Sequence, residues 1–202
     1  MTRYAMILPL MIAFAASPAA SAPAPSNIEA VRGVVSSFDG KRIVVKTRSK
    51  GLRAIDLAAD WKAQAMRPIS VAEIREGSFI GTAEMPQPDG TGRSLEVHVF
   101  PPGVKGGEGH YAWTLRRGSM MTNGTVGKVT AGSKGRELEV SYPTGTRRIV
   151  VPPNVPVVQM TGADRSVVKV GASVFIMASP APGGRLVSSN VGVGVDGAKP
   201  PM

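Results

Sequence analysis

The chain has no cysteine among its 202 residues. That absence excludes disulfide bridges, thiolate nucleophiles, cysteine-ligated zinc and a lipid-modified N-terminal cysteine. Histidine is scarce as well, with only His98 and His110, so any chemistry that needs an imidazole rests on those two side chains. Aromatic residues make up 5% of the chain, and the 14 acidic residues are outnumbered by 24 lysines and arginines. The motifs that carry phosphate or acyl chemistry are missing too. No glycine loop ends in Lys-Ser or Lys-Thr, no Gly-x-Ser-x-Gly elbow is present, and no His-Glu-x-x-His helix occurs. A serine triad would have to recruit one of the two histidines with no local motif to support it.

Long apolar runs are lacking beyond the N-terminus. Arg3, the apolar stretch 5–16 and the small residues 17–22 read together as a secretory signal peptide over residues 1–22. The run is shorter than the ~20 residues that span a bilayer. Ala20-Ser21-Ala22 fits the cleavage pattern, with Ser17-Pro18-Ala19 as the alternative. Export without disulfides points to a bacterial periplasmic or extracellular protein, soluble once processed and held together by packing.

What the sequence does have is an internal repeat. Gly33 and Gly127, Val35 and Val129, Arg53 and Arg147, Ile55 and Ile149, Met66 and Met160, Gly77 and Gly171, and Val97 and Val191 are related by one constant offset. An extra residue near Ser133 moves Ile43 onto Leu138 and Val45 onto Val140. This divides the chain into a first repeat at 23–100, an inter-repeat loop at 101–123, a second repeat at 124–193 and an exposed tail at 194–202. In the first repeat, strands are expected near 28–37, 42–48, 52–57, 78–83 and 94–100. Asp39-Gly40 supplies a hairpin turn. Ser70-Val71-Ala72-Glu73 forms a capping box for a short helix that Gly77 ends. The second repeat offers the same order, with Asp164 or Ser166 capping its helix. Three strands, a short helix and two strands is the order of a five-stranded Greek-key barrel of the OB type. The predicted fold is therefore mainly β, two tandem OB-like barrels each with one short helix. Two open β-meanders are the alternative.

Three sets of residues are candidates for function. Lys41, Arg42, Lys46, Arg48, Lys50 and Arg53 form the densest cationic run, with no acid between residues 40 and 55. They read either as the solvated face of a hairpin or as a surface for a polyanion. Tyr111, Trp113 and Leu115 stand in the inter-repeat loop, either packing between the barrels or facing a ligand. Glu96 and His98, two apart on one strand, share a face; with Glu108 and His110 folding back beside them they would suit a divalent metal, the one cofactor these residues offer. Nucleic acid is disfavoured, because the middle strands carry almost no aromatic platform for stacking bases.

Arg32-Gly33-Val34-Val35, Leu95-Glu96-Val97-His98-Val99-Phe100-Pro101, Gly107-Glu108-Gly109-His110-Tyr111-Ala112-Trp113 and Met121-Thr122-Asn123-Gly124-Thr125-Val126 resemble an exported bacterial family that carries the domain of unknown function numbered 5666. The resemblance implies small OB-like barrels in tandem and an exported location, and it brings no activity, cofactor or catalytic residue. The resulting expectation is a non-enzymatic binding or scaffolding module of the cell envelope, with an anionic envelope polymer or another envelope protein as partner. A divalent-metal protein using His98 and His110 is the alternative.

Overall fold

Alternation decides the local structure. In β2 (Arg42–Lys46), Ile43 and Val45 are fully buried while Arg42 and Lys46 are exposed, as a sheet with one wet face requires. The computed structural model describes residues 28–200, so the expected signal peptide lies outside the described residues. The protein is mainly β, and among the described residues twelve strands form one hydrogen-bonded network. Among the described residues no helix is long and apolar enough to cross a membrane.

Five strands close on themselves. β1 (Glu29–Phe38) pairs antiparallel with β2 and with β11 (Ser173–Ala181). β2 pairs with β3 (Leu52–Pro68), β3 runs parallel to β12 (Arg185–Gly194), and β12 returns to β11. The core of this closed barrel holds Val31, Val35, Ile43, Ile55, Ile176 and Val191. The next strands follow the path β5 (Gly92–Val99), β4 (Phe79–Pro86), β7 (Met120–Gly132), β8 (Gly135–Tyr142) and β9 (Gly145–Val151), around Ile80, Val97, Val126, Leu138 and Ile149. β9 comes back to β5 through a parallel contact of two residue pairs, Gly92 with Ile149 and Arg93 with Val150. A short β6 (Gly109–Ala112) pairs with β7, so the inter-repeat loop is partly strand and β7 begins earlier than expected.

The pairing differs from the expectation that each repeat closes on itself. β11 and β12 complete the barrel begun by β1, β2 and β3, while β4 and β5 join β7, β8 and β9. β3 has 17 residues and stays beside β12 as far as Met66, with an irregularity between Leu57 and Lys62. The outer part of β3 pairs antiparallel with β10 (Val157–Ala163), and Met66 faces Met160 directly. The first-strand correspondences read from sequence also shift. Gly33 and Gly124 occupy matching surroundings, where a Cβ would stand 2.2 Å from the Lys46 carbonyl oxygen and 2.4 Å from that of Ser141. Val35 faces Val45 across β1 and β2, and Val126 faces Val140 across β7 and β8, so the strand pairing aligns Gly33 with Gly124 and Val35 with Val126, not with Gly127 and Val129 as the constant offset expects.

The two expected helices are single 3-10 turns, Val71–Glu73 and Arg165–Val167. The capping box forms as read: Ala72 N–H donates to Ser70 Oγ at 3.2 Å and Ser70 N–H to Glu73 Oε1 at 2.8 Å. Asp164 caps the second turn. The first turn stops at Ile74, which turns to an extended conformation and is fully buried, so Gly77 lies in the following bend and not at the helix end. Within the tail, residues 195 and 196 contact the end of β3 while Asp196, Gly197 and Lys199 stay exposed. Val195 N–H donates to the Met66 carbonyl, and Asp196 pairs with Arg67.

Candidate functional site

The cationic hairpin occupies β2, its turns and the start of β3. Half of its charges are answered within the fold. Arg42 Nε lies 2.6 Å from Asp56, which also binds Arg185, and Lys50 and Arg53 share Glu29 at 2.9 and 3.2 Å. Asp39 accepts the N–H groups of Lys41 and Arg42, and those bonds hold its carboxyl below the usual range. Lys41, Lys46 and Arg48 are exposed, and among the described residues none of the three has an ion-pair partner. Lys46 sits in a cross-strand row between Val34 and Leu52, two exposed aliphatic side chains.

The aromatic loop is held by side-chain contacts, with Trp113 half-buried and Tyr111 left exposed. The Tyr111 hydroxyl donates to the Gly107 carbonyl at 3.2 Å and accepts from Asn123 Nδ2 at 2.8 Å. Trp113 meets Tyr111 edge-on, and the Arg32 guanidinium lies over Trp113 at 5.7 Å and over Phe175 at 5.2 Å. Arg32 thus joins a ring from the loop to one from β11, a contact worth more where water is excluded.

The four proposed metal ligands divide between two places. Glu96 and His98 are together and almost wholly buried, with Nδ1 of His98 3.3 Å from Glu96 Oε2 and the other oxygen of Glu96 accepting the Ala83 N–H at 2.7 Å. His110 pairs across β6 and β7 with Thr122, its Nδ1 2.8 Å from the Thr122 hydroxyl, and lies 3.8 Å from Glu84. Glu108 is exposed, with Lys105 as its nearest cation at 4.0 Å. Among the described residues no three His, Asp or Glu side chains converge on one point.

Sequence reasoning missed the polar group built around Glu84, at the end of the core enclosed by β4, β5, β7, β8 and β9. Glu84 is fully buried, and its Oε1 accepts Arg147 Nε at 2.8 Å while Oε2 has no partner. Arg147 also donates to the carbonyls of Gly90 and Thr91, so it spans the short seam between β5 and β9. Burial raises the Glu84 carboxyl, and the Arg147 bond and charge oppose that rise. Burial, with a lesser contribution from the Arg147 charge, lowers His110 and so favours the neutral imidazole beside Glu84. Thr82 and Ser94 bond to each other at 2.8 Å and to the Glu96 carbonyl, holding the bulge where β4 and β5 shift register. Ser188 makes the same bond, to the Asn190 carbonyl, at the corresponding irregularity of β12. The signal for Glu84 was present in the repeat: the constant offset sets it against Ala178, a buried charge against a buried methyl.

Each buried carboxylate here is engaged by the fold, Glu96 by a backbone N–H and an imidazole, Glu84 by a guanidinium. Among the described residues, no serine or threonine hydroxyl is bonded to either histidine except that of Thr122 to His110. Within the hairpin, the charges free to meet another molecule are those of Lys41, Lys46 and Arg48. No family model, curated protein or solved structure matches the chain.

Proposed function

We propose that the protein is an exported, non-enzymatic binding or scaffolding module of the bacterial cell envelope whose contact surface is the basic hairpin, and that its partner is an anionic envelope polymer. In this reading the chain is a duplicated OB-like Greek-key unit, as the resemblance to the family named above implies, in which the two copies have exchanged their last two strands. The matching surroundings of Gly33 and Gly124 and the facing of Met66 and Met160 support the duplication.

One observation carries the functional reading. Asp39, Asp56 and Glu29 are already bound within the hairpin and its neighbours, which leaves Lys41, Lys46 and Arg48 as exposed charges without an ion pair among the described residues, Lys46 between exposed Leu52 and Val34 and Lys41 at the other end of β2. Paired cations gain little from a new anion, whereas unpaired ones attract a repeating negative charge and release counterions when they bind it.

The test is retention of the protein processed at residue 22 on immobilised polyphosphate and polygalacturonate. Binding is expected to weaken steeply with salt, and Lys46→Glu with Arg48→Glu to lower affinity by about tenfold, the equivalent of ~1.4 kcal/mol. Binding that ignores salt, or a double variant that binds like the parent, contradicts the assignment.

A further inference from the structure

We propose that the groove between the inter-repeat loop, the segment at 152–158 and the tail binds the aliphatic chain of a fatty carboxylate, with Arg116 and Lys199 holding the headgroup. The groove has a volume of about 750 Å³, inside the range of ligand pockets, and its floor is aliphatic: Ile69, Leu95, Leu115 and Val155. These residues are half-buried, so they are already shielded on one side and present the other to the groove.

The lining sorts the candidates. Among the described residues no aromatic side chain lines the groove, which disfavours a proline-rich peptide, because such peptides dock on aromatic surfaces. Arg116 and Lys199 are exposed at its edge, so the charge offered to a visitor is positive. Glu96 is the one acid in the wall, and both of its carboxylate oxygens are engaged, by the Ala83 N–H and by His98. An apolar floor beneath two cations is complementary to one alkyl chain ending in a carboxylate.

Both halves of the chain contribute: Ile69 and Leu95 come from the first, Val155 and Lys199 from the second. The site is independent of the basic hairpin, and Lys46→Glu with Arg48→Glu leaves it unchanged.

Isothermal titration of the intact protein with laurate, below its micelle-forming concentration, tests the proposal. One saturable laurate per chain is expected. Arg116→Glu with Lys199→Glu is expected to weaken it by about tenfold, and Val155→Trp, which fills the floor, to weaken it while the melting curve stays close to that of the parent. Dodecyltrimethylammonium, with the same chain and the opposite charge, is expected not to bind. The proposal is overturned by an absence of saturable laurate binding to the parent, by equal affinity in the charge-reversed variant, or by equal binding of the cationic amphiphile.

Discussion

Replacing Arg147 by methionine is expected to lower the stability of the protein by about 3–5 kcal/mol, the range for a buried ion pair that loses one partner. Glu84 has no exposed surface and one oxygen without a partner. Arg147 is the cation bonded to the other oxygen, and it also ties the Gly90 and Thr91 carbonyls across a seam of only two residue pairs. Urea unfolding at pH 7 measures the loss. Adding Glu84→Gln to the Arg147→Met variant removes the stranded charge and is expected to recover much of it. The pH dependence has a definite sign. A carboxyl whose folded pKa lies above its unfolded value binds its proton more tightly when folded, so stability falls as pH rises through that window. Burial raises Glu84, and loss of Arg147 raises it further. The deficit of Arg147→Met should therefore be largest at neutral pH and shrink as the solution is acidified toward the ordinary range of glutamate. A loss below about 1 kcal/mol, the worth of an exposed pair, would mean that the pair does not close the seam.

Gly33→Ala and Gly124→Ala are each expected to cost about 3 kcal/mol or more, at the upper end of overpacking. The new methyl would stand 2.2 and 2.4 Å from backbone carbonyl oxygens of the neighbouring strand, and backbone cannot step aside as a side-chain tip can. Gly127→Ala is expected to change stability by no more than about 0.5 kcal/mol, as exposed positions do, since the nearest atom to its Cβ is 3.8 Å away. Thermal melts of the three variants decide between two registers. Matched losses at Gly33 and Gly124 follow from the strand pairing, whereas matched losses at Gly33 and Gly127 would follow from the constant offset.

Those glycines show how far the sequence could be read. Alternation in residues 42–46 placed Ile43 and Val45 inside, the capping box at Ser70 was complete, and Ile55, Val97, Ile149 and Val191 proved to be core. These are local properties, set by side-chain period and by hydrogen bonds a few residues long. Which strand joins which barrel is not local. β4 and β5 pair beside β7, and β11 and β12 beside β1 and β3, contacts between residues far apart in the chain that no local pattern announces. The site divides in the same way. The two-residue spacing put Glu96 and His98 on one face correctly, but the pairing of His110 with Thr122 carries that imidazole to Glu84 instead. Glu84 itself, in Thr82-Ala83-Glu84-Met85-Pro86, resembles the solvent side of an edge strand, and only its burial against Arg147 shows otherwise.

Strands β11 and β12, from the second half of the chain, complete the barrel begun by β1, β2 and β3, while β4 and β5, from the first half, join β7, β8 and β9. A specific protease sequence placed after Lys105, in the exposed loop between β5 and β6, allows the folded protein to be cut there and passed through a gel-filtration column without denaturant. The account predicts that the two fragments elute together at the volume of the uncut protein, unfold in one transition and part only in denaturant. Fragments that separate on the column and each keep a folded spectrum would contradict it.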